Sequence, residues 1–231
     1  MLFEHRKPTD STSTGRGRAT RPCGGRLGIL ALAVLTTLAV AAGPAVGAPA
    51  ERTTRPVISL TDFTAVGSST LVRTDQGMSP RIDTTGLIAG DVVTLWWVVF
   101  NDPQDCEAGL PGLSMCGPQD HLQGRGQASV LHAAGRIAAE DGTASYGAHL
   151  RTGDTSRALE GPGLLAAREA ELILVLKTHG PKIRGLVSEQ LRTFAGGCHD
   201  QSDVPPGAPP EMVGTPGPND CAEIQVSVHS P

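Results

Sequence analysis

Short apolar runs rich in β-branched residues, separated by turn residues, make up most of the chain after residue 50. Runs of this length and composition predict β-strands. The predicted strands cover residues 57–61, 69–73, 92–100, 128–137, 143–150, 171–178 and 222–229. The run at 92–100 is apolar at nearly every position, so we expect a central strand with both faces buried. The run at 222–229 alternates, which predicts a half-exposed strand with Ile224, Val226 and Val228 on one face.

Two segments have helical rather than strand patterns. Val187, Leu191 and Phe194 follow the i, i+4, i+7 spacing of an amphipathic helix, and residues 164–168 predict one or two further turns. Asp141-Gly142 lies between two predicted strands and is a typical hairpin turn. Many short strands with one or two short helices predict a mainly β fold, and specifically an antiparallel β-sandwich.

The N-terminal region has the three parts of a secretory signal peptide. A basic region covers residues 1–26, an uncharged apolar region covers residues 27–46, and Ala48-Pro49-Ala50 supplies the small residues that precede cleavage. We expect cleavage after Ala50, export, and a single domain from residue 51 to residue 231. The alternative is an uncleaved chain that residues 27–46 anchor in the membrane, since that run is long enough to cross a bilayer.

Charge is divided sharply between the leader and the rest of the chain. The leader has six Lys and Arg against two Asp and Glu, whereas residues 51–231 have 13 against 21. An acidic surface without a basic stripe disfavours nucleic acid as a partner. It also disfavours docking on anionic lipid, so we expect membrane contact only if the leader is uncleaved.

Four cysteines follow the leader: Cys106, Cys116, Cys198 and Cys221. An even number in an exported chain predicts disulfides, with three connectivities open. The shorter loops favour Cys106 with Cys116 and Cys198 with Cys221. A zinc site of four cysteines is the rival interpretation, but neither pair has the close spacing typical of zinc knuckles.

Several signatures between residues 86 and 198 occur around these cysteines. They are the sequences at residues 86–91, 96–101, 170–171, 179–181 and 193–198. This set resembles a group of uncharacterised secreted bacterial proteins and is similar, more faintly, to the chordin-type CHRD domain. Residues 182–185 keep only part of the characteristic CHRD ending. The resemblance implies a secreted β-sandwich of the immunoglobulin-like or CHRD-like kind, with no established activity.

Histidines and carboxylates are the remaining candidates for chemistry. A metal site, with weakly held calcium or zinc, would draw on His121 and His179 together with the loop carboxylates Asp105 and Asp120. No two histidines have the spacing that places both imidazoles on one face of a strand or helix. No calcium-loop, nucleophile-elbow or phosphate-loop motif occurs either. We therefore expect no cofactor.

The sequence favours a secreted, non-enzymatic module with a binding or structural role in the cell envelope or the medium, and its ligand is unknown. The alternative is a metal-binding protein or metal-dependent enzyme that uses the loop histidines and aspartates. Trp96 and Trp97 are adjacent on a predicted strand and must point to opposite faces. We expect one indole in the core and the other against a second layer or a disulfide.

Overall fold

A computed structural model describes residues 48–231 of the chain. The predicted signal peptide therefore lies outside the described residues except for Ala48-Pro49-Ala50, and the first strand begins at Glu51. Within the described part, no helix is long and apolar enough to span a membrane.

The described residues form strands and a few short helices. The strands are β1 (Glu51–Ser59), β2 (Ala65–Thr74), β3 (Gly77–Thr84), β4 (Asp91–Phe100), β5 (Ala128–Ile137), β6 (Ala144–Gly147), β7 (Leu150–Arg151), β8 (Ala158–Glu160), β9 (Glu171–Pro181) and β10 (Ala222–His229). The α-helices are α1 (Pro118–Leu122), α2 (Val187–Gln190) and α3 (Pro210–Val213). Short 3-10 turns lie at Pro103–Asp105 and Arg125–Gln127.

The strands form one antiparallel sheet in the order β6-β3-β2-β1-β10-β9-β4-β5-β8, and β7 also pairs with β3. The sheet curls until its two ends approach each other. Tyr146 of β6 donates a hydrogen bond to the carbonyl of Val93 in β4, and Arg136 of β5 donates one to the carbonyl of Ser145. The mainly β, antiparallel fold is confirmed, but the strands belong to one curled sheet and not to two separate ones.

The two faces of this sheet have separate apolar clusters. The inner, concave face holds the main core, to which Leu71, Ile82 and Trp97 contribute. The outer face holds a second cluster that includes Trp96 and Phe194. The predicted division of the two indoles is therefore confirmed. β4, with β9 on one side and β5 on the other, is buried on both faces as expected.

The predicted hairpin at Asp141-Gly142 is wrong. The two residues lie in a tight turn, but β6 pairs with β3 and not with β5. The reason lies in the segment before β4, because Leu87 N–H donates to the Gly142 carbonyl and Gly90 N–H to the Ala138 carbonyl. The bond from Gly90, together with one from Ala138 N–H to the Asp91 carbonyl, continues the β4–β5 pairing, so the chain turns after Ala138 and then runs beside β3 as β6.

One strand was missed and two helix predictions need correction. β3 was not predicted, and Pro80 lies inside it, a residue that argues against a strand in the sequence. The helix predicted over 187–194 ends at Gln190, after which Phe194 N–H pairs with the Met212 carbonyl. Residues 164–168 form turns and bends. Short local patterns were therefore outweighed by pairing with distant segments.

β10 contradicts the expectation of a half-exposed strand. Gln225, Ser227 and His229 are buried, and they lie opposite Leu176, Leu174 and Leu172 of β9 on the concave face. His229 Nε2 is 2.9 Å from Ser69 Oγ, and Gln225 Oε1 accepts a hydrogen bond from the Thr84 hydroxyl. Burial of Gln225 and His229 is tolerated because other strands supply their hydrogen-bond partners, whereas the buried Ser227 hydroxyl has no partner among the described residues.

Gly135 on β5 sits directly against the end of α2, and this contact gives a stability prediction. A Cβ atom at position 135 would lie 2.1 Å from the Leu191 carbonyl oxygen, whereas one at Gly147 would meet no atom within 4 Å. We expect Gly135→Ala to lower the free energy of unfolding by about 2 kcal/mol, because the helix must shift. Gly147→Ala, the matched control, should change it by less than about 0.5 kcal/mol. Urea titration measures the free energy of unfolding of both variants. Equal losses in the two would contradict the close packing of Gly135 against Leu191.

Candidate functional site

A groove of about 570 Å³ runs over the outer face of β4, β5, β8 and β9. We call it the outer groove. Its apolar lining consists of Trp96, Val98, Val130, Leu159, Val175 and Phe194. The walls come from α1 on one side and from residues 202–206 on the other. Alternate side chains of neighbouring strands share a face, which is why the sheet presents this apolar floor.

Two aromatic side chains shape the floor of the outer groove. The Trp96 and Phe194 rings meet edge to face, with their centroids 5.2 Å apart. Phe194 reaches this position because its backbone pairs with Met212 of α3, and the Cys198–Cys221 disulfide closes the same region of chain. The groove is thus held by tertiary contacts between segments that are far apart in sequence.

Lys177 of β9 also lines the outer groove, and it is only 6% exposed. Its Nζ lies 3.7 Å from the centroid of the Phe194 ring, a cation–π contact. Within residues 48–231 this ammonium forms no ion pair with a carboxylate. Burial lowers the pKa of Lys177, and the more distant charges of Glu223 and Asp203 oppose that shift. The groove therefore contains a buried cation that no anion neutralises at close range.

His121 of α1 and Glu160 of β8 face each other across another part of the outer groove. His121 Nε2 lies 2.5 Å from Glu160 Oε1, and each side chain is 30% exposed. The contact joins α1 to the edge strand β8. His121, one of the predicted site residues, is therefore placed at the groove with a carboxylate partner.

Behind the groove, a chain of hydrogen bonds runs from Trp96 into the protein. The Trp96 indole N–H donates to Thr94 Oγ1 at 2.8 Å, and Thr94 Oγ1 is 2.9 Å from His179 Nε2. His179 Nδ1 is 3.0 Å from the Gly196 carbonyl oxygen, which can only accept. This contact places a proton on Nδ1, and burial lowers the pKa of His179 to about 4, which favours the neutral imidazole at pH 7.

The two carboxylates of the predicted metal set have structural positions. Asp120 is fully buried and accepts hydrogen bonds from the backbone N–H groups of Glu107, Ala108 and Gly117. Burial pushes the pKa of Asp120 up, but these bonds outweigh it and leave the pKa lowered. Asp105 lies in the turn nearby and accepts from Gly126 N–H. Both aspartates therefore hold the loop that the Cys106–Cys116 disulfide closes.

The four residues proposed for metal binding do not come together in the described part of the chain. The one group of three or more metal-ligating side chains found there is His179, Cys198 and Cys221. Both cysteines of this group are joined in a disulfide, so the pairing of all four cysteines predicted from the shorter loops is confirmed.

Sequence reasoning missed Lys177, Glu160 and Phe194 as residues of a common site. One signal was present for Lys177, because it is a lysine in a strand that is otherwise apolar. No pattern in the sequence connects Glu160 or Phe194 to it. Their proximity depends on strand order and on the pairing of residue 194 with residue 212.

Comparison with protein-family models, curated proteins and solved structures found no match. The resemblance to the CHRD domain and to secreted bacterial proteins therefore stays a prediction.

Proposed function

We propose that this protein is an exported, non-enzymatic binding protein whose outer groove holds an apolar ligand with a carboxylate end. One observation carries the proposal: the ammonium group of Lys177 lies at an apolar groove and lacks a close anion among the described residues. A buried charge is costly unless it is paired, so a ligand that brings its own anion is favoured here.

The rest of the groove supports a ligand with a long apolar part. Trp96, Val175 and Leu159 form a continuous apolar surface, and burial of apolar ligand area contributes about 25 cal/mol per Å². The carboxylates of Asp203 and Glu223 are exposed, so solvent and salt screen their repulsion of an anionic ligand more than they screen Lys177.

The test compares decanoate with decan-1-ol, which share a chain but differ in charge. We expect decanoate to bind and to change the fluorescence of Trp96. Lys177→Met should weaken decanoate binding by about tenfold or more, since a hydrogen bond to a charged group contributes about 1.5–3 kcal/mol. The same substitution should leave the affinity for decan-1-ol almost unchanged.

Lys182→Met is the matched control, because Lys182 is an exposed lysine outside the outer groove. It should leave both affinities unchanged, as measured by fluorescence titration and calorimetry. Equal loss of decanoate binding in both variants would contradict the role of Lys177. Failure of both ligands to bind would contradict the groove as an apolar site.

Export is supported by the charge division of the leader, by the two disulfides and by the start of β1 at Glu51. Disulfides persist in oxidising compartments outside the cytoplasm. N-terminal sequencing of protein recovered from the culture medium should begin at Glu51. A chain that stays in the membrane fraction with its leader attached would favour the anchored alternative.

A further inference from the structure

We propose that His179, Cys198 and Cys221 form a site for a borderline-soft divalent cation such as Zn²⁺ when their disulfide is reduced. This site lies behind the outer groove and does not depend on the function proposed for that groove. In the oxidised protein the disulfide occupies both sulfurs, so the site is available only to the dithiol form.

The ligand atoms are already close to the positions that a single ion requires. The imidazole and the two sulfurs each offer one atom, and these atoms lie within 4.8 Å of one another. His179 Nδ1 is 3.7 Å from Cys198 Sγ. Zinc binds imidazole nitrogen at about 2.0 Å and thiolate sulfur at about 2.3 Å, which places tetrahedral N and S ligands roughly 3.5 Å apart.

The backbone holds the two cysteines together without help from the disulfide. Cys198 forms a parallel bridge with Asn219, where His199 N–H donates to the Asn219 carbonyl and Asn219 N–H to the Gly197 carbonyl. The Asn219 side chain also donates to the carbonyl of His179 at 2.7 Å. Reduction therefore leaves the three ligands on a framework that other hydrogen bonds maintain.

The hydrogen bonds of His179 allow the change of tautomer that coordination requires. A metal on Nδ1 needs the ring proton on Nε2, which then donates to Thr94 Oγ1. The Thr94 hydroxyl still accepts from the Trp96 indole, and its own proton turns to the Lys177 carbonyl oxygen, 3.4 Å away. Such outer partners orient the ligand and fix its proton. His179 gives up its contact with the Gly196 carbonyl in exchange.

The chemistry balances with a dithiol as the reductant. Two electrons and two protons pass from the dithiol to the Cys198–Cys221 bond, which yields two thiols in the protein and a disulfide in the reductant. The cation then displaces the two thiol protons into solvent and is held by two thiolates and the neutral imidazole. Cys221 is only partly buried, so a reductant and a fourth, exchangeable ligand reach the site from its side.

Cobalt(II) is a suitable probe, because its thiolate charge-transfer and tetrahedral d–d absorption bands report its ligands directly. The purified protein is reduced with a phosphine and titrated with Co²⁺, and the unreduced protein is titrated in parallel. We expect these bands to saturate in the reduced protein and to be absent from the oxidised one. Circular dichroism should show that the β structure survives reduction.

Substitutions distinguish Co²⁺ binding at this site from binding by other cysteines and histidines. His179→Asn should weaken Co²⁺ binding by about tenfold or more, and Cys198→Ala/Cys221→Ala should abolish the thiolate band. His132→Asn and Cys106→Ala/Cys116→Ala are the matched controls and should retain both the band and the affinity. His132 is likewise a buried histidine of low pKa, but it is absent from the metal-ligating group.

Three results would each overturn the proposal. The first is the absence of thiolate bands in the reduced wild-type protein. The second is equal affinity in wild type and His179→Asn. The third is loss of the β signal on reduction, because it would mean that the backbone does not hold the ligands in place. Each result leaves the decanoate test of the outer groove unaffected.

Discussion

Lowering the pH from 7 to 5 is expected to remove several kcal/mol from the free energy of unfolding. His132, His179 and His229 are almost completely buried, and burial lowers the pKa of each to about 4. In the unfolded chain each pKa returns to about 6.5. Between these values the unfolded state binds more protons than the folded state, so stability falls as the pH falls.

The size of the effect follows from the number of protons. Each buried histidine contributes a slope of about 1.4 kcal/mol per pH unit between pH 6.5 and pH 4, and the contribution is fully present above pH 6.5. Urea titrations at pH 7.5, 6.5 and 5.5 measure this slope. His132→Gln should reduce it by about one third if the protein still folds.

A flat dependence of stability on pH between 7 and 5 would contradict the buried, neutral state of these imidazoles. Carboxylates of lowered pKa, such as Asp120, act in a different window. Their contribution is present above the unfolded pKa of about 4 and is lost below it. The two groups of residues are therefore distinguished by the pH at which stability declines.

Glu171→Ala is expected to cause a large loss in the free energy of unfolding. Glu171 begins β9, is fully buried, and accepts hydrogen bonds from Met115 N–H, Cys116 N–H and the Ser230 hydroxyl. Without it, two backbone N–H groups of the Cys106–Cys116 loop lose their partner. The Cys116 N–H is buried and the Met115 N–H partly buried, and an unsatisfied buried donor costs about 1–3 kcal/mol. With the lost bond to Ser230, we expect a loss of about 3 kcal/mol in the free energy of unfolding.

Arg73 adds to the cost of removing Glu171. This arginine of β2 is fully buried, and only its Nη2 has a hydrogen-bond partner, the His229 carbonyl. Burial lowers the pKa of Arg73, and the charges of Glu51 and Glu171 oppose the shift. Loss of the Glu171 charge therefore leaves the guanidinium less compensated.

Glu169→Ala is the control for Glu171, because Glu169 is an exposed glutamate two positions earlier. We expect it to change stability by less than about 0.5 kcal/mol. Guanidinium titrations of the two variants and hydrogen exchange at Met115 and Cys116 measure the difference. Unchanged protection of those two amides in Glu171→Ala would mean that the carboxylate does not hold the loop.

Much of the secondary structure was predictable because it depends on local patterns. The apolar run at β4 and the exact bounds of β5 and β10 follow from composition and turn residues. Helix α2 and the missed strand β3 show where this reasoning fails. In both, the secondary structure was set by pairing with a distant segment and not by the pattern of residues along eight positions.

The candidate site was less predictable than the fold. His121 was selected from the sequence as a metal ligand, but Glu160 on an edge strand is its partner. His179 was selected for the same metal set, but it lies beside Cys198 and far along the chain from the other three residues. Strand order decides which of these residues lie close together, and the local periodicity of a sequence does not predict strand order.

The sequence by itself determined a mainly β domain and the opposite directions of Trp96 and Trp97, and it favoured the pairing of the four cysteines through their shorter loops. These properties depend on residue type and on the two-residue period of a strand. The tertiary structure alone decided that β6 pairs with β3, that His229 points into the core, and that Lys177 and Phe194 share a groove. These contacts join residues distant in sequence, and the free energy that selects them comes from burial and hydrogen bonding in the completed sheet.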